Sequence, residues 1–245
     1  MKNYHEYVAE NFDNMVIGLD DTFTFNCEQC GKCCINRDDI MISAQDMYRM
    51  SKKLSMTTEK FYETYCESYV GHSSNRVVVR LKPRGSIKRC PLLKDRKCMM
   101  HDVKPPVCAM FPIGRAVRLE KAKDGSTQQI TYDDVQYINN GANCGNGQTK
   151  HTVRDWLNEF NIPLEDEFHI KWQNTIIKLS SLLTQALEKL PEEAVSPIWN
   201  VVFMALYLHY DTSEEFMPQF DENVRVLLKI IPDFLHTLGI EVRTA

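Results

Sequence analysis

No stretch of the 245-residue chain is apolar for long enough to cross a bilayer; the longest run, residues 201–208, falls far short of the roughly 18 residues required. The opening segment through Asn14 is mixed and polar and has no apolar centre of a signal peptide, so export is not expected. Neither an internal repeat nor a low-complexity tract is present. The C-x3-C-x2-C spacing of radical-SAM enzymes is missing, and so are a Gly-rich phosphate loop and a dinucleotide fingerprint. Without an export signal, a reducing cytoplasmic setting is expected, and that makes thiolate ligands a better-supported use of cysteine than disulfides.

Hydrophobic residues make up 43% and charged residues 25%, an ordinary globular balance with enough apolar material for one well-cored domain or a domain with an extension. Nine cysteines are the distinctive component. In a reducing compartment they read as thiolates for a metal.

The net charge of −4 hides a segregation. Residues 76–118 carry twelve Lys/Arg against Asp95 and Asp102, a local net of +10, whereas residues 151–245 carry a net of −8. Solvated faces of one sign account for such runs in most proteins. Because the basic stretch also holds three cysteines, compensation of thiolate charge is the specific reading favoured over an anionic partner. Nucleic acid is disfavoured: Phe111 is the lone aromatic in the stretch, and base stacking needs several.

Along the chain, Ser43 with Asp46 predicts an N-cap opening a short helix through Met47, Tyr48 and Met50. Thr58 is expected to cap a second helix with Phe61, Tyr62, Tyr65, Cys66 and Tyr69 on one side. Val77, Val79 and Leu81 alternate as a strand ending before Pro83, Arg84 and Gly85. Residues 113–119 and 129–132, flanking Asp124, Gly125 and Ser126, read as a β-hairpin, and 141–147 as loop. After residue 150 the pattern turns helical. Thr152 and Asp155 open a helix with Trp156, Leu157 and Phe160, and a long helix from Phe168 to Leu190 stops at Pro191. Ser196 and Pro197 signal the start of the next helix. Its 201–208 part, apolar almost all round, is expected to be the buried member. A last helix through Val224, Leu227, Leu228 and Ile231 should kink or break at Pro232.

Cys27, Cys30, Cys33 and Cys34 form C-x2-C-x2-C-C, with Gly31 allowing a tight turn. A turn brings cysteines three apart to the same side, and the triple run supplies three corners of a [4Fe–4S] cluster in bacterial ferredoxins. Zinc sites more often use two separated C-x2-C pairs. Adjacent Cys33 and Cys34 are expected to diverge. A second group comprises Cys90, Cys98 and Cys108, stiffened by Pro91, Pro105, Pro106 and Pro112, with Cys144 in a Gly/Asn loop. Eight thiolates suffice for two four-sulfur sites or for one with spare thiols. Cys66 reads as an ordinary buried thiol, and His101 as a surface or hydrogen-bonding histidine that could stand in for a thiolate on zinc.

These residues resemble the YkgJ-like family, whose CxxCxxCC signature is associated with chelation of zinc or iron. The likeness runs through Phe25, Asn26 and Cys27 to Gly31, Lys32, Cys33 and Cys34, then Ile40, Met41, Ile42, Ser43 and Asp46, with Phe61 in the following helix. It continues through Cys90, Pro91, Leu92, Leu93, Cys98, Pro105, Cys108, Phe111 and Pro112 to Cys144, covering roughly residues 23–148. All eight cysteine positions are kept; His101, Lys104 and Ala109 stand where the family pattern has Tyr, Arg and Arg. Flagellin lysine-N-methylases resemble the family through a similar cluster, which implies protein methylation as one possible chemistry.

The expectation is therefore an α+β protein. A lead-in of residues 1–20 precedes a small, irregular cysteine-rich domain, 21–148, organised by metal and built of short helices and a β-hairpin; an α-helical segment, 149–245, follows. The expected ligands are Cys27, Cys30, Cys33, Cys34, Cys90, Cys98, Cys108 and Cys144, holding an iron–sulfur cluster, 4Fe–4S foremost, with zinc as the alternative. The centre would serve redox or structural work. A protein partner or substrate is open, as is a zinc-stapled module that meets an acidic partner through residues 76–118.

Overall fold

The computed structural model describes residues 4–71, 75–118, 129–142 and 144–242. Within them the chain is α+β: antiparallel strands form sheets of two or three, and a helical run closes the molecule. Helix α1 (Tyr4–Met15) leads into strand β1 (Val16–Ile17), and β2 (Thr22–Asn26) ends one residue before the first cysteine. Helix α2 (Ala44–Lys53) starts as the sequence predicts. The Ser43 hydroxyl accepts from the Asp46 amide while the Asp46 carboxylate accepts from the Ser43 amide, a reciprocal capping box.

Helix α3 (Thr58–Tyr65) corrects two expectations. Its cap is Thr57, whose hydroxyl accepts from the Lys60 amide, because Thr58 is buried and donates to the Leu208 carbonyl. Cys66 and Tyr69 leave the helix for strand β3 (Cys66–Val70), which pairs with β4 (Val77–Leu81), Cys66 opposite Leu81. The β-branched strand β4 needs a partner for its backbone, and that need overrides the helical spacing of the aromatics.

A small hairpin of β5 (Leu93–Lys94) and β6 (Lys97–Cys98) turns through Asp95 and Arg96, both left-handed. After α4 (Pro106–Ala109), β7 (Ile113–Val117) pairs with β8 (Val135–Asn139), and β1 adds to the far edge of β8. The return strand of the expected hairpin is therefore 135–139. In place of strand at 129–132, Thr131 and Asp134 cap a 3₁₀ turn, Tyr132–Asp134. The expected turn residues Asp124, Gly125 and Ser126 lie outside the described residues. Strand β9 (Asn146–Thr152) pairs with β2, so the loop expected over 141–147 ends at Gly145.

The helical part comprises α5 (Val153–Glu159), α6 (Glu167–Leu187), α7 (Glu192–Phe203), a π-helical turn (Met204–Leu208) and α8 (Phe216–Thr237). Thr152 caps α5 as expected. Pro197 sits inside α7 rather than at its start, and Pro232 sits inside an unbroken α8. In α7 the burial of Val195, Ile198 and Val202 outweighs the one backbone bond that Pro197 removes. The 201–208 segment is not buried all round: Val201 is 43% and Met204 59% exposed, and the π turn directs Leu206 and Tyr207 inward. Among the described residues no helix is long and apolar enough to cross a membrane.

Two apolar cores result. The larger joins Ile40, Met47, Phe61, Val79 and Leu92 to the inner faces of α6, α7 and α8. The smaller packs Phe23, Phe25, Met110, Ile113, Trp156 and Leu157. Cys90, Cys98 and Cys108 rest against the first, Cys144 against the second.

His169 on α6 gives the fold a pH dependence. Burial, assisted by the Arg115 guanidinium and opposed by Asp166, lowers its pKa to about 4. The folded protein holds this ring neutral, so its contribution is complete above the unfolded value of about 6.5 and is lost as pH falls toward 4. The unfolding free energy from denaturant melts should therefore drop across that window by on the order of 3 kcal/mol, and less steeply in His169→Gln.

Candidate metal centre

Four stretches of chain converge at the seam between the cores. Cys27 follows β2, and Gly31, left-handed at φ 73°, opens a 3₁₀ turn, Lys32–Cys34, closed by the Cys34 amide donating to the Gly31 carbonyl at 3.0 Å. The Cys34 carbonyl then accepts from the Cys90 amide at 2.8 Å, and the Asn36 amide donates to the Ile87 carbonyl at 2.9 Å. These bonds lock the first cysteine group to the second. The β5–β6 hairpin brings Cys98 back opposite Leu93, and α4 presents Cys108. The Trp156 indole donates to the Met110 carbonyl at 2.9 Å, fixing the chain just beyond Cys108.

Cys144 is delivered by a close backbone approach. Gly145 is left-handed at φ 73°, and a Cβ there would stand 2.3 Å from the Asn26 carbonyl oxygen and 2.9 Å from the Phe25 ring. Only glycine lets this loop lie against the end of β2, where Cys27 begins the signature.

All nine cysteines are free thiols. The Cys33 and Cys34 sulfurs are 3.9 Å apart and hydrogen-bonded, so the expectation that these neighbours diverge is corrected; the 3₁₀ turn places them side by side. Cys33 is the electrostatic hub: its charge is felt by Cys34, Cys90, Cys98, Cys108 and Cys144. Cys144, grouped by sequence with the second set, instead stands within reach of the charges of Cys33, Cys30 and Cys27.

The thiol of Cys34, with Arg37 and Lys104 reinforcing it, brings Cys33 down to about 6 against the cost of burial. Its neighbour Cys34 is driven up by the same hydrogen bond and by burial. Burial raises Cys90, Cys98 and Cys108, and raises Cys144 to about 11. One sulfur is thus poised as thiolate while most of those around it hold their protons, the order in which a soft cation would displace them.

The compensating cations differ from the expected set. Arg37, outside the basic stretch, donates to the Cys33 carbonyl at 3.2 Å and acts on Cys33, Cys90 and Cys108. Lys104 lies within the stretch, whereas Arg80, Lys88 and Arg115 are paired with Glu67, Asp38 and Asp166. Arg37 escaped the sequence reading because a single cation three residues past Cys34 makes no run. His101 is exposed on a 3₁₀ turn, and Cys66 is a buried thiol in β3, held protonated by burial.

Among the described residues, no group of three or more His, Cys, Asp or Glu side chains is already arranged to hold an ion. The chemistry of the donor set nonetheless fits a soft metal: the gathered groups are thiols, one is poised for ionisation, and two cations offset the charge. A family model for CxxCxxCC, described as "Putative zinc- or iron-chelating domain", matches residues 26–146. No solved structure matches the chain.

Proposed function

From a chain whose residues 26–146 belong to the CxxCxxCC family and which binds metal in that sense, we propose that Cys27, Cys30, Cys33, Cys34, Cys90, Cys98, Cys108 and Cys144 supply the thiolates for iron–sulfur of the 4Fe–4S type, enough for two four-thiolate centres or for one with spare thiols. Residues 21–148 are organised around it in a cytoplasmic, reducing setting, and the helices α5 to α8 cover one side. The observation that carries the reading is the convergence of distant cysteine stretches: the Cys34 carbonyl accepts from the Cys90 amide at 2.8 Å, and Gly145, next to Cys144, lies against the Asn26 carbonyl beside Cys27. When bound, such a centre supplies one-electron chemistry, or a staple whose binding energy is folding energy. The chain's own part is to pre-ionise Cys33, balance charge through Arg37 and Lys104, and limit solvent access at Cys90, Cys98, Cys108 and Cys144 by packing them against the two cores.

Metal and acid-labile sulfide analysis of protein prepared without oxygen tests this. The expected result is a brown protein with iron and sulfide in equal amounts. Colourless protein carrying zinc alone would overturn the iron reading and leave the structural zinc staple. Protein with neither metal would overturn both.

A further inference from the structure

A cavity of about 880 Å³ opens beside the thiols, between Arg37, the start of β4 and the Pro106–Arg115 region on one side and α6 with Tyr207 on the other. Its size suits a cofactor- or metabolite-sized molecule. Arg37 belongs both to its wall and to the cysteine neighbourhood. Met41, Val78, Met110, Phe111, Trp172 and Tyr207 give it an apolar and aromatic lining. The π turn of 204–208 is what brings Tyr207 to the wall, and such turns recur at functional sites.

Two lining groups lack partners. Arg37 is held by Asp39 and Arg115 by Asp166, but Arg76, half-buried, has no ion-pair or hydrogen-bond partner for its guanidinium among the described residues. A partly desolvated cation without a counter-charge is costly, and an arriving anion relieves that cost. Independently, Nε2 of His169 is buried with no hydrogen-bond partner among the described residues, and buried polar atoms are rarely left so. Both residues line the same space.

We propose that this cavity binds a small organic anion with a flat apolar body. Its acid group pairs with Arg76, its body lies along Trp172 and Phe111, and one polar atom meets His169 Nε2. The site is separate from the thiol centre but shares the Arg37 wall with it, and ligand binding here does not require the metal reading to hold.

Anilinonaphthalene sulfonate, an aromatic anion, is the probe, and its uncharged parent N-phenylnaphthylamine is the control. The purified full chain should bind one sulfonate saturably and at least about tenfold more tightly than the neutral parent, the scale of a charge-assisted contact. Arg76→Gln should remove that preference. Gln173→Trp, which narrows the cavity without touching its cations, should abolish binding. Phe234→Ser, on the exposed stripe of Ile230 and Phe234 on α8 and Leu238 just beyond its end, should leave binding unchanged. Equal affinity for probe and parent, full binding in Gln173→Trp, or loss in Phe234→Ser would overturn the proposal. Should Arg76→Gln fail to fold, the comparison of probe and parent on the native chain together with Gln173→Trp decides. The readout is probe affinity at known metal content, so failure of the metal reading and failure of this one are told apart.

Discussion

Cys33→Ser is expected to lose metal by at least about tenfold in affinity, since loss of a ligand costs no less than loss of the groups that merely support one. Its sulfur stands 3.9 Å from that of Cys34 in the turn that is bonded to the second cysteine group at Cys90, so its loss removes a donor where the two groups join. Because metal binding and folding share one free energy, the variant should also unfold at lower denaturant than the loaded protein. Cys66→Ala is the contrast. Cys66 is a buried thiol opposite Leu81, raised by burial alone. Its truncation should cost about 1 kcal/mol through a small cavity and leave metal content intact. Metal analysis beside denaturant melts checks both; full metal in Cys33→Ser would remove the hub from the account.

The second large effect is expected at Asp166. Its carboxylate accepts from Arg115 Nη1 at 2.9 Å, with the two side chains 15% and 6% exposed, and also accepts from the His169 amide to cap α6. Asp46, the other carboxylate that feels Arg115, is engaged by the amide and hydroxyl of Ser43. Asp166→Ala therefore strands a buried guanidinium and uncaps a helix of 21 residues. A loss of about 4 kcal/mol is expected, most of it from the unpaired charge. Asp166→Asn keeps the cap and should recover about 1 kcal/mol of that. Urea melts decide; a cost below about 1 kcal/mol would show the pair to be solvent-screened.

Much of the local structure was legible because it rests on local chemistry. The Ser43–Asp46 box, the Thr152 cap, the alternation through β4 and the stripe of α6 depend on residues a few positions apart. What escaped depends on partners distant in sequence. Cys66 and Tyr69 have helical spacing, but β4 claims them as a strand. The return of β7 comes from 135–139, since Thr131 and Asp134 spend their side chains on a turn. In the site, the eight cysteines could be counted, but not that Cys144 joins Cys27, Cys30 and Cys33, because that needs the Gly145 approach to β2. The cavity was invisible for the same reason: Arg76, His169 and Tyr207 meet only after α6 and the π turn fold onto the cysteine-rich part.

Three of the sulfurs rest on one core and Cys144 on the other. Bonds running through a shared centre would make the two cores melt as a single cooperative unit, whereas without them each is free to open by itself. The folded chain would then report its own loading state as the sharpness of its unfolding.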